Sequence, residues 1–164
     1  MSKKAISPFN SSLESGIRAL TILTALFPRR IDLQRLVDFD YLIVHSGDAN
    51  GPESLHAPLP MRAGELLVRR NIVEEGLLLM MSRGFVKRIP SDNGIEYVAD
   101  ELAYTFINSL SSPYLVRLKE RAEWVAKEFG NIKDQELQLI TKQFFDKWTT
   151  QFHASIGSSR NDNG

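Results

Sequence analysis

Residues 62–99 read RAGELLVRRNIVEEGLLLMMSRGFVKRIPSDNGIEYVA. Arg62 to Arg70 has the composition of a short helix, and Asn71 is expected to break it. A second helix follows from Ile72 and closes at Gly84, where a chain leaving a helix favours a residue that tolerates positive φ. Leu77, Leu78, Met80 and Met81 crowd one side and its flanks, as in a helix packed against neighbours. Phe85, Lys87 and Ile89 alternate with Val86 and Arg88, the period of a half-buried strand. Asn93-Gly94 supplies a tight hairpin turn, and Ile95 to Ala99 returns as a second strand. Helix, turn, helix and a two-stranded wing outline a winged helix-turn-helix, so the expected class is mostly α (α+β) with additional C-terminal helices. A small α+β domain with one hairpin is the plainer alternative.

Composition narrows the function. The chain has 164 residues, room for one domain with an appended helix, and 43% are hydrophobic, enough for a core. Twenty basic and twenty acidic residues cancel. A protein that lives on the phosphate backbone usually carries a basic surplus, and this one carries none overall. The absence of cysteine excludes disulfides, zinc fingers and thiol chemistry. The start, MSKKAISPF, lacks the apolar run of a signal peptide, and no stretch has the apolar length of a membrane span. A cytoplasmic location is expected.

Outward from the central stretch, Ser11-Ser12-Leu13-Glu14 resembles a capping box and starts a helix that Pro28 ends. Asp32 is placed to cap a second helix, and its apolar run Tyr41-Leu42-Ile43-Val44 implies a central position. Residues 45–60, HSGDANGPESLHAPLP, break every period and form a long loop. Asp100 is placed to cap a helix carrying Leu102, Ala103, Phe106, Ile107 and Leu110. Ser112-Pro113 starts another, with the stripe Leu115, Leu118, Ala122, Val125 and Phe129. A last amphipathic helix is expected from Asp134 to about His153, with Leu137, Ile140, Phe144, Trp148 and Phe152 on one face. The expected organisation is a winged-helix domain over 7–130, a C-terminal amphipathic helix within 131–154, and a disordered polar tail over 155–164.

The loop holds the one cluster that invites chemistry: His45, Ser46, Asp48, Glu53 and His56. Two imidazoles and two carboxylates suggest a metal site, and Ser, His and Asp suggest a hydrolase. Against this, the spacing matches no metal motif, there is no G-x-S-x-G elbow, and polar residues in a Gly/Pro loop usually hold the loop's own backbone. There is no Gly-rich phosphate loop followed by G-K-[ST]. No catalytic residue, metal or cofactor is assigned. The same loop is a candidate partner contact through His45, Asp48, Glu53, Leu55, His56 and Leu59. The terminal helix is another, through Phe145, Trp148 and Phe152.

Charge also bears on DNA. Residues 62–99 hold Arg62, Arg69, Arg70, Arg83, Lys87 and Arg88 against Glu65, Glu74, Glu75, Asp92 and Glu96; six minus five leaves one positive charge. The helix expected to read a groove opens Ile72-Val73-Glu74-Glu75, where a reader would offer Arg, Asn, Gln or Ser. Candidate phosphate contacts reduce to Arg29, Arg30, Lys87 and Arg88, and a solvated charge is the simpler role for each.

Several segments together resemble a known family: SPFNSSLESGIRAL at 7–20, DLQRLVDFDYLIVHSGD at 32–48, GPESLHAPLP at 51–60, RAGELLVRR at 62–70, GLLLMMSRG at 76–84 and SPYLVRLKERAEWVA at 112–126. They are similar to the small middle component of bacterial ABC-three-component systems, second type, with the resemblance covering about 7–130. The resemblance implies a gene placed between an SMC-like ABC ATPase and an effector, often a nuclease, in systems like Lamassu-type defence against phage and plasmids. It implies a non-catalytic adaptor that binds the ATPase and the effector and can meet DNA indirectly through the complex, with direct contact by the wing left open; no membrane partner is expected. A winged-helix DNA-binding transcription regulator is the alternative, and a small metal-dependent hydrolase using residues 45–56 is the third.

Overall fold

The computed structural model of the chain describes residues 11–58, 63–144 and 146. Helix α1 (Ser12–Leu26) leads into a two-residue strand β1 (Ile31–Asp32) and helix α2 (Leu33–Val44). A 3-10 turn (Ser46–Ala49) opens the long loop. Then come α3 (Ala63–Ser82), β2 (Val86–Ser91), β3 (Gly94–Ala99), α4 (Glu101–Ser109) and α5 (Pro113–Phe129). A last helix, α6, is described over 134–144. The fold is mostly helical with one small antiparallel sheet in the order β1-β3-β2.

Local chemistry sets most of the helix starts. Ser11 accepts the N–H of Glu14, Asp32 that of Arg35, Asp100 that of Leu102, and Ser112 that of Leu115. Each side-chain oxygen satisfies a donor that the first helical turn leaves open. Gly84 takes φ +75° just past α3, as its position suggested.

Three expectations change. Asn71 does not break the chain, because α3 runs continuously from Ala63 to Ser82. Asn costs a helix only about 0.7 kcal/mol. That is too little to interrupt a segment whose Val73, Leu77 and Met80 are buried on one side. Thus no helix-turn-helix lies within 63–84. The sheet has three strands, since Ile31 pairs with Tyr97 and Asp32 with Glu96; two residues are too few to show an alternation in sequence. The hairpin turn also sits one residue earlier than expected, at Asp92-Asn93, with Ser91 paired to Gly94. The Ser91 hydroxyl donates to the Gly94 carbonyl and accepts the Asn93 N–H, and Gly94 alone in the turn takes positive φ.

The core lies where α1, α2, α3 and α5 meet. Leu20, Leu23, Leu36, Phe39, Ile43, Leu77 and Leu118 are fully enclosed, and Tyr41 to Val44 are all buried, so α2 is central as its composition indicated. Ala103 and Ile107 of α4 face inward, whereas Leu102, expected on that face, points to solvent. In α6, Leu137 and Phe144 join the core. Trp148 and the end of the expected stripe, Phe152, lie outside the described residues.

Helix α1 crosses α3 at close range at Gly16 and Gly76. A Cβ on Gly76 would stand 2.5 Å from the Gly16 nitrogen and 2.8 Å from the Ser15 carbonyl carbon. Ser15 marks the same crossing, its hydroxyl donating to the Ile72 carbonyl at 3.0 Å. Alanine at a helix interior normally gains about 1 kcal/mol over glycine, but overpacking against rigid backbone costs about 1–3 kcal/mol. We expect Gly76→Ala to lower the stability, with a reduced urea midpoint, because the backbone of α1 would have to move. A higher midpoint would show that the two helices have room to separate.

Candidate functional site

The long loop, α1, α2, α3 and α5 converge on a buried polar network. Its centre is Asp40, fully enclosed on α2. The Nε of Arg18, from α1, donates to one carboxylate oxygen at 2.9 Å, and an Nη of Arg69, from α3, donates to the other at 2.6 Å. Burial pushes the Asp40 carboxyl up, but Arg18 and Arg69 together outweigh it and hold the group below its ordinary range. The Arg69 guanidinium also lies 5.5 Å from the centre of the Tyr41 ring.

Around this triad sit the loop residues that the sequence singled out. His45 is buried, with its ring centre 4.7 Å from that of Tyr41 and 6.1 Å from that of His56. Its Nε2 has no hydrogen-bond partner among the described residues. The His56 Nε2 and the Tyr114 hydroxyl, from α5, are 2.8 Å apart, and their rings stack. Tyr41 donates its hydroxyl to Asp48 at 2.6 Å. Burial and the neighbouring arginines bring both imidazoles down to about 4, so each is neutral at pH 7.

The other polar atoms of the loop fasten it to the domain. Ser46 donates to the Pro52 carbonyl at 2.7 Å, and the Gly47 N–H donates to the Ser54 hydroxyl at 2.9 Å. The N–H groups of Leu55 and His56 share the Val44 carbonyl, each at 3.0 Å. Arg121 of α5 donates twice to the Glu53 carbonyl, at 2.8 and 3.1 Å. Gly51 lies so close to the Trp124 indole that a Cβ would overlap the ring. Leu55 packs on the core, and the Glu53 side chain points outward. Leu59 and Phe145 lie outside the described residues, as do Trp148 and Phe152.

Chemically the arrangement is a clasp. Ser46 is engaged by backbone and Asp48 by Tyr41, so the structure does not bring Ser, His and Asp into a relay. No group of three or more His, Cys, Asp or Glu among the described residues is placed to hold a metal ion. No helix among them is long and apolar enough to cross a membrane.

Two of the four candidate phosphate contacts are engaged within the domain. Arg29 donates to the Gly130 carbonyl at 2.6 Å, and Lys87 pairs with Asp100 at 3.2 Å. Arg30 and Arg88 are exposed, one just before β1 and one on β2, with Ile31 and Arg88 paired to either side of Tyr97.

The centre of the network went unnamed in the sequence. Arg18, Asp40 and Arg69 lie 22 and 29 residues apart, and no spacing rule connects them. One signal was present: Arg18 in GIRALTIL and Asp40 in VDFDYLIV interrupt runs too apolar to have a wet side. Arg35 was missed in the same way. It gathers the carbonyls of Phe129 at 3.1 Å and Ile132 at 2.5 Å and the Asp134 carboxylate at 2.7 Å, tying α2 to the junction of α5 and α6. Beside it Asp38 is buried against Gln34, and burial raises its carboxyl to about 7.

One family model matches the chain. It is described as ABC-three component (ABC-3C) system Middle Component 2, and the match covers residues 8–151. It thus continues past residue 130, where the resemblance in sequence had ended, and takes in α6. No curated protein and no solved structure matches the chain.

Two outcomes follow from the network. Asp40→Ala leaves two guanidiniums facing a buried gap and should cost about 3–5 kcal/mol, whereas Arg18→Met/Asp40→Leu/Arg69→Met should recover much of that loss in urea titrations. For pH, each imidazole falls from 6.5 unfolded to about 4 folded. The unfolded chain therefore binds more protons in between, so the histidine contribution is complete above pH 6.5 and is lost as pH falls towards 4. Asp38 acts oppositely, its folded value being raised to about 7, so the wild-type curve mixes the two. His45→Phe should isolate the histidine part. The stability of wild type relative to this variant should decline between pH 6.5 and 4, and a flat difference would show His45 to be solvated.

Proposed function

We propose, from the premise that the chain belongs to the ABC-3C system Middle Component 2 family, that it is a non-catalytic adaptor. It would hold an SMC-like ABC ATPase and an effector in one assembly of the Lamassu-like kind. Membership in a multi-component system carries this reading, since a middle component implies protein partners. The clasp is consistent with it, because the residues best suited to chemistry are spent on packing the loop against the domain.

The element order supports a winged-helix variant in which β1, between the first two helices, pairs with the hairpin strand β3. In that variant α3 takes the place of a groove-reading helix. Its exposed side carries Leu67, Asn71, Glu74, Glu75 and Leu78, a surface on which two carboxylates would repel phosphate and only Asn71 is of a type common in base readout. The adaptor reading therefore outranks the transcription regulator. Gating follows from the role: the adaptor would hold the effector until the ATPase changes state on foreign DNA, which requires contacts that differ between the two states.

The test is co-expression of the full chain with the proteins encoded beside it. We expect one complex on gel filtration. The chain alone should bind duplex DNA weakly, without sequence preference, and more weakly still when salt is raised from about 50 to 200 mM. Tight binding to one duplex at physiological salt, with no protein complex, would make it a regulator.

A further inference from the structure

The outer face of α3 exposes apolar side chains that the domain's own packing leaves unused. Leu67, Val68 and Leu78 are 62%, 53% and 63% exposed, and all three lie on this one helix. Leu67, Asn71, Glu74 and Leu78 follow the spacing i, i+4, i+7, i+11, which places them in one row along the helix. The two leucines are then about 16.5 Å apart along the axis. Glu74 stands between them in the row and Glu75 at its edge. Among the described residues neither glutamate takes part in an ion pair, and Glu75 has only a long hydrogen bond of 3.4 Å from Ser12. The nearest cation in sequence, Arg70, is turned to Gln34 at 3.1 Å.

We propose that this row is a docking seam for an amphipathic helix of a partner protein that carries a Lys or Arg between two apolar anchors three turns apart. The leucines supply the anchors on this side. Glu74 sets the chemistry of the occupant, because covering a carboxylate with apolar surface alone leaves a buried, unpaired charge. A cation opposite Glu74 removes that cost. The same reasoning disfavours a second copy of the chain. Antiparallel pairing about the middle of α3, with each Leu67 against Leu78, would set each Glu74 opposite Asn71 of the other copy, so neither carboxylate would meet a cation. This proposal rests on the adaptor reading and names where one partner would sit.

The experiment uses the full chain co-expressed with the ABC ATPase and the third component of its system, with folding checked by circular dichroism. Leu67→Ser/Leu78→Ser should fold like the wild type and weaken the hold on one component about tenfold or more, a loss of about 1.4 kcal/mol. Glu74→Lys should weaken the same contact, more at low salt than at high salt. Wild type that assembles while both variants assemble equally well would overturn the seam and leave the adaptor role intact. A Glu74→Lys complex tighter than wild type would overturn the basic partner. A wild-type dimer that the leucine variant converts to monomer would assign the seam to a second copy instead. Wild type that joins neither component would overturn the adaptor reading, and this proposal with it.

Discussion

The domain is organised around a carboxylate that has no water to turn to. Asp40 is completely enclosed, and its two oxygens are taken by guanidiniums from two other helices. A buried charge of this kind fixes geometry more than it adds stability, since desolvation offsets much of the attraction. Its value lies in direction: α1 and α3 must each deliver an arginine head to the same point on α2. The glycine crossing of α1 and α3 fits this demand, because close backbones let both side chains reach inward. Tyr41, His45, His56 and Tyr114 then line the wall of the network, and the long loop is drawn down onto it.

What could be read from the sequence divides by range. The caps at Ser11, Asp32, Asp100 and Ser112 could be foreseen, since each is a hydrogen bond within three residues of chain. The stripe of α5 could be foreseen too, with Leu118, Ala122 and Val125 buried as the period required. Asn71 misled because a weak local preference was weighed without the long apolar face that keeps α3 whole. Strand β1 was invisible because pairing with β3, across more than sixty residues, is all that makes it a strand. For the loop, the polar residues that form the clasp were named, but their inward direction depends on Arg121, Tyr114 and Trp124, which come from a helix far along the chain.

An adaptor needs a rigid body and surfaces that can be claimed. The rigid part is the clasp and the core beneath it. Surfaces of a different character remain outside: the acidic and apolar face of α3, and the exposed Arg30 and Arg88 at the sheet. For the adaptor proposed above, surfaces of unlike chemistry would suit unlike partners.

The seat of Trp124 has a practical side. Its indole lies against Gly51 on one side and meets Phe129 edge-on at 5.5 Å. Indole emission depends on how much water and which neighbouring groups surround the ring. Helix α5 therefore carries an optical probe at the point where the loop is pinned. Any event that lifts Gly51 from α5 would change the light the protein emits, with no label attached.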